Sequence, residues 1–129
     1  MLIQSPEEMY DFWKKIAQDH KHVLLHGDLW AGKTLFTKGF AAWLGIDENS
    51  VQSPTFTYMN IYNDKLLHVD MYRLEWFEDM VQKWIVNHIW EFDFVVIERP
   101  KHIEKLPISD PLVVTIEKVD DETRNIILP

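Results

Sequence analysis

Apolar and polar positions alternate along this chain in short, sharply bounded runs. "SPEEMYDFWKKIAQDH" opens with Ser5 as an N-cap, Pro6 at the first helical position and Glu8 placed to close a capping box. Met9, Trp13 and Ile16 follow at helical spacing, which predicts a first helix. "HVLLH", residues 22–26, is a short apolar run leading straight into Gly27, the pattern of a buried strand that feeds a loop. "KTLFTKGFAAWLG" reads as a helix with Leu35, Phe36, Phe40, Trp43 and Leu44 on one side and Gly45 at its C-cap.

The second half is read the same way. "TFTYMNIYNDKLLHVDMYRL" predicts two strands around an Asn63-Asp64 turn, although that turn lacks a glycine. "EWFEDMVQKWIVNHIW" has a helical pattern, and "FDFVVIE" is a strand ending on Glu98. "LVVTIEKVDDETRNIIL" is a closing hairpin that turns at Asp120-Asp121. Phe36, Phe40 and Trp43 are assigned to the core, and Tyr58, Tyr62 and Trp76 to packing or an interface. Nothing resembling a linker, repeat or low-complexity stretch interrupts the pattern, so residues 1–129 are read as a single domain.

Composition narrows the chemistry. The chain has no cysteine, which removes disulfides, thiolate nucleophiles and cysteine-held metals together. Its six histidines show no metal-binding spacing: His22 and His26 share a strand face with Leu24, and His68 shares one with Asp70. No apolar run approaches the roughly 20 residues needed to span a bilayer, and the N-terminus lacks a secretion signal, so a cytoplasmic protein without membrane contact is expected. The formal net charge is −8 and the cations are scattered. Strong direct binding to nucleic acid is not expected from such a surface; a role in nucleic-acid metabolism would run through a partner.

The most specific signal is "GDLWAGKTLF". Gly27, Gly32, Lys33 and Thr34 complete G-x-x-x-x-G-K-[ST], between a predicted strand and a predicted helix. In such a loop the backbone of Asp28, Leu29, Trp30, Ala31, Gly32, Lys33, Thr34 and Leu35 is expected to cradle the phosphates of ATP. Lys33 reaches the terminal phosphates and Thr34 offers a hydroxyl to Mg²⁺. A second acid is wanted at the end of a neighbouring strand to hold the metal through its water shell. Asp70, after "LLHV", and Glu98, after "FVVI", both qualify.

The segments "HGDLWAGKTLFTKGFAAWLG", "VQSPTFTYMNIY", "HVDMYRL", "VVIERP" and "LPISDPLVVTI" together resemble the bacterial TsaE family of the tRNA threonylcarbamoyladenosine pathway, over residues 5 to 128. The resemblance implies a P-loop NTPase-like α/β/α sandwich with a mostly parallel sheet and antiparallel edge strands. It implies an ATPase with Mg²⁺, weak alone, that supports TsaB and TsaD. Ser53, Pro54, Thr55 and Phe56 match the family's switch-like segment. Glu98 matches the Mg²⁺-side carboxylate, and Asp70 is a candidate for orienting the attacking water. The chain departs from the family pattern at Trp30, where glycine is usual, at Arg99, where tryptophan is usual, and at Lys101, where glutamate is usual.

Trp30 keeps its backbone N–H, so the number of anion donors is unchanged. If the family's glycine served a positive φ, the tryptophan costs on the order of 1–3 kcal/mol of strain, which weakens phosphate binding by roughly ten-fold or more. The leading expectation is therefore an ATP-hydrolysing subunit of the tRNA-modifying machinery, with a catalytically weakened nucleotide-binding regulatory module as the alternative. A GTPase or small-molecule kinase fits less well, because the guanine-reading N-K-x-D is missing.

Overall fold

In the computed structural model, which describes all residues except 28–31 and 55–56, the chain runs β1 (Leu2–Ile3), α1 (Pro6–Asp19), β2 (His22–His26), α2 (Lys33–Trp43), β3 (Met59–Tyr62), β4 (Leu66–Asp70), α3 (Phe77–Gln82), α4 (Ile85–Glu91), β5 (Phe94–Glu98), β6 (Leu112–Lys118) and β7 (Arg124–Ile127). The described strands form one sheet in the order β1-β7-β6-β2-β5-β4-β3. Its centre, β6-β2-β5-β4, is parallel, whereas β3, β7 and β1 pair antiparallel at the edges.

Strand alternation divides the core into two layers. Val23, Leu25, Leu66, Val96 and Val114 face Trp13, Phe36 and Phe40 of α1 and α2. Leu24, Leu67, Val69, Val95 and Ile97 face Met80, Ile85 and Ile89 of α3 and α4. This is the three-layer α/β/α sandwich expected, with a largely parallel sheet. Helices α1 and α2 are pressed together: Trp13 meets Phe36 edge-on at 4.1 Å between ring centroids. Gly39 permits the approach, because a Cβ there would lie 2.6 Å from the Tyr10 carbonyl oxygen.

Local signals act much as their chemistry suggests. Ser5 Oγ accepts the Glu8 N–H at 3.1 Å, and Glu8 accepts the N–H of Gln4 at 2.9 Å, one residue before the cap. The β3–β4 turn closes without glycine because Asn63 (φ 51°) and Asp64 (φ 53°) both adopt the left-handed region, which asparagine and aspartate tolerate better than other side chains. At the other predicted turn, the Asp120 carboxylate accepts the N–H groups of Glu122 and Thr123 at 2.9 and 2.7 Å.

Two expectations are corrected. The helical pattern of residues 75–90 is not one helix: α3 and α4 are separated at Trp84, which has φ 63°. Met80 and Ile85 are both fully buried, and five residues apart on a continuous helix they would point about 140° away from each other; the break lets both face the sheet. Trp43, assigned to the core, is 47% exposed. It is the last residue of α2, and Ala41 is the fully buried residue of that final turn. Of the aromatic residues assigned to packing or an interface, Tyr62 is buried and Trp76 is 63% exposed.

Candidate functional site

β2 ends at His26 and α2 begins at Lys33, so the glycine motif starts at the C-terminal end of a central parallel strand. Asp28, Leu29, Trp30 and Ala31, half of the expected amide cradle, lie outside the described residues. Its two ends are described. Gly32 is the residue before α2 and has φ 106°. Among the described residues an added Cβ would meet only Met9 Cε, at 3.6 Å, and the positive φ is the conformation that favours glycine. Lys33 begins α2, is 6% exposed, and donates from Nζ to the Gly27 carbonyl at 2.5 Å. Thr34 and Leu35 follow in the first turn, both half-buried.

The two candidate acids arrive on neighbouring strands. Glu98 ends β5, which pairs directly with β2, and its Cα lies beside that of Leu25. Asp70 ends β4 and lies beside Glu98, so at about 4.8 Å per strand it stands one strand farther from the loop. Alternation puts both on the α2 side of the sheet, with Leu66 and Val96. The strand order therefore puts Glu98 on the strand next to β2 and Asp70 one strand beyond.

Both carboxylates are buried and held. Glu98, 2% exposed, is hydrogen-bonded to Nε2 of fully buried His68. Asp70, 1% exposed, accepts from the Tyr72 N–H at 2.9 Å and from Arg99 through Nε at 3.2 Å and through Nη2. Arg99 has φ 50°, uncommon for a residue other than glycine. Its N–H extends the parallel ladder to the Leu25 carbonyl at 2.8 Å, and its guanidinium lies 4.3 Å from the Tyr72 ring centroid. Lys101 Nζ donates to the Tyr72 carbonyl at 3.1 Å. Arg99 and Lys101, with His26, Gly27, Tyr72 and Lys118, border a cleft of 620 Å³ beside the loop.

Of the switch-like segment, Ser53 is exposed and Pro54 buried, and the Pro54 carbonyl accepts the Tyr58 N–H at 2.7 Å. Thr55 and Phe56 lie outside the described residues. Sequence reasoning missed the part played by His68 and Tyr62, whose ring nitrogen Nδ1 and hydroxyl approach to 3.2 Å. The usable signal was the shared face of His68 and Asp70; the bond to Glu98 depends on strand register. No group of three or more His, Asp or Glu able to hold a metal occurs among the described residues. Among the described residues, the Thr34 hydroxyl and the Glu98 carboxylate are hard oxygens of the kind magnesium takes together with phosphate oxygens and water.

A family model for TsaE, "Threonylcarbamoyl adenosine biosynthesis protein TsaE", matches residues 3–126. The chain belongs to the TsaE family. Among its relatives, the tRNA threonylcarbamoyladenosine biosynthesis protein TsaE of Bacillus subtilis is 40% identical over 130 residues, covering 95% of this chain and 79% of that protein. The TsaE of Aquifex aeolicus is 32% identical, covering 98% of this chain and 92% of that protein. The crystal structure of Bacillus subtilis YdiB superposes with a TM-score of 0.70 at 31% identity, over 99% of this chain and 82% of that one. In this TsaE-family chain, Arg99 and Lys101 stand together at the cleft. No helix among the described residues is long and apolar enough to cross a membrane.

Proposed function

We propose that this TsaE-family protein binds and hydrolyses ATP with Mg²⁺ in support of tRNA N6-threonylcarbamoyladenosine synthesis. The observation that carries the reading is that Gly32, Lys33 and Thr34 stand at the start of α2, the helix that follows β2, while Glu98 ends β5, the parallel strand paired with β2. Lys33 leaves the Gly27 carbonyl for the terminal phosphates, and the first amides of α2 add donors that face the anion. Thr34 and Glu98 would hold the metal, which would supply positive charge to offset what builds on the phosphate oxygens. Asp70, one strand away, orients the attacking water, and residues 53–56 respond to the terminal phosphate. The cleft of 620 Å³ lies within the range of small-ligand sites, and its lining mixes Lys101 and Lys118 with Glu117 and with Arg99, which is paired to Asp70.

Partners of the TsaB and TsaD kind fit the surface. Trp76, Trp84 and Trp90 are 63%, 63% and 75% exposed, and tryptophans at the surface commonly anchor protein interfaces. The net charge of −8 leaves the tRNA to those partners.

A second reading is favoured by the Asp70–Arg99 pair: with its water-orienting acid clamped, the protein is a nucleotide-binding regulatory module with little turnover. A phosphate-release assay with Mg-ATP, alone and with the partner proteins, separates the two. Release that is lost in Lys33→Ala and Glu98→Ala supports the ATPase; binding without release under both conditions supports the module.

A further inference from the structure

The buried polar groups on the α2 side of the sheet form a hydrogen-bonded chain that leads away from Glu98. His68 Nε2 meets Glu98 Oε2, and His68 Nδ1 lies 3.2 Å from Tyr62 Oη. That oxygen lies 3.0 Å from the Gln52 carbonyl and accepts the Gln52 N–H at 3.1 Å. Asn60 Nδ2 donates to the same carbonyl at 3.1 Å and to Tyr62 Oη at 3.3 Å. The chain starts at a carboxylate proposed to hold the metal and ends on the backbone next to Ser53 and Pro54.

We infer that His68 and Tyr62 are positioning residues that couple the state of Glu98 to the backbone at Gln52, so that nucleotide engagement reaches the segment that begins at residue 53. This rests on the nucleotide reading above. A carboxylate accepts, so Nε2–H is given to Glu98 and Nδ1 faces the Tyr62 hydroxyl. That hydroxyl has one hydrogen and two acceptors within reach, His68 Nδ1 and the Gln52 carbonyl. Strengthening one bond weakens the other, and in a buried chain each bond polarises the next. When Glu98 turns toward the metal, its hold on Nε2–H changes, and with it the competition at Tyr62. Merely satisfying a buried carboxylate would require His68 alone. It would not require that the chain run on to the backbone of an exposed residue, Gln52.

The test is hydrogen–deuterium exchange of the amides of residues 51–53, with and without saturating Mg-ATP, in the wild type, Tyr62→Phe and His68→Gln. Binding is followed in parallel by titration with a fluorescent ATP analogue. In the wild type Mg-ATP should change exchange there by about five-fold, the size expected from altering one hydrogen bond. Tyr62→Phe should bind the analogue within about two-fold of wild type and lose most of that response, because it removes only the hydroxyl. His68→Gln should lose it too, and carries the test if Tyr62→Phe fails to fold, as judged by exchange protection in β5. A wild-type response in the folded variants overturns the coupling while leaving the nucleotide reading intact. Absence of analogue binding to the wild type overturns both.

Discussion

Replacing Arg99 by methionine keeps an unbranched apolar stem and removes the charge that faces Asp70. The Asp70 carboxylate is 1% exposed, and a buried ion pair that loses one partner typically costs 3–5 kcal/mol, roughly. The Arg99 side chain is 14% exposed, so water relieves part of the penalty and about 3 kcal/mol is expected. For 129 residues, with an unfolding entropy of about 2.1 cal/mol/K per residue, that is a fall in Tm of roughly 10 °C. Asp70→Asn should cost less, about 1.5 kcal/mol, because the guanidinium on its flexible stem can turn into the cleft. The double variant should cost only about 2 kcal/mol, which leaves a coupling of about 2.5 kcal/mol, within the range for contacting groups. Urea unfolding of the four proteins measures this directly. Single costs that add to within about 0.5 kcal/mol would show that the pair contributes nothing of its own. Phosphate release adds a functional arm: if the pair restrains Asp70, release per folded molecule should rise in Arg99→Met, and a fall to background would instead place Arg99 in the phosphate site.

Other outcomes follow from single features. Gly39→Ala places a methyl 2.6 Å from the Tyr10 carbonyl oxygen and 3.1 Å from Trp13 Cβ, so α1 and α2 must separate; a loss of about 2 kcal/mol in urea unfolding is expected, and an unchanged midpoint would refute that close approach. Burial lowers the pKa of His22 below its ordinary 6.5, outweighing the opposing pull of Asp93, and Ser109 donates its N–H to Nδ1 at 3.3 Å. The folded state therefore favours the neutral ring, so its stabilising contribution is present above pH 6.5 and is lost as the pH falls below it. His22→Asn should flatten that part of the stability–pH curve, and an NMR titration should place the ring below the free-histidine value. Mg-ATP should alter the tryptophan emission of the wild type and not of Trp30→Phe if Trp30 lies against the nucleotide; equal responses would count against such packing.

Much of the fold was legible from local chemistry. Ser5-Pro6 set the start of α1, the run from His22 into Gly27 marked the central strand, and the Asn63-Asp64 pair turned β3 into β4, because caps, strand runs and turns are decided by neighbours in sequence. The G-x-x-x-x-G-K-[ST] spacing places Gly32, Lys33 and Thr34 in one stretch, and the structure sets that stretch at the start of α2. Periodicity misread residues 75–90 because it assumes one continuous helix, and the left-handed residue at Trp84 becomes worthwhile only when a sheet is present to bury both Met80 and Ile85.

Tertiary structure alone decided how the acids relate to the loop. Asp70 and Glu98 are 28 residues apart, and only the order β2-β5-β4 puts Glu98 beside the glycine strand and Asp70 one place beyond. The same register brings His68 to Glu98 and Arg99 to Asp70. Pairings of this kind have no local code: they arise when strands from distant parts of the chain share hydrogen bonds, and buried charges then take whatever partner that alignment supplies.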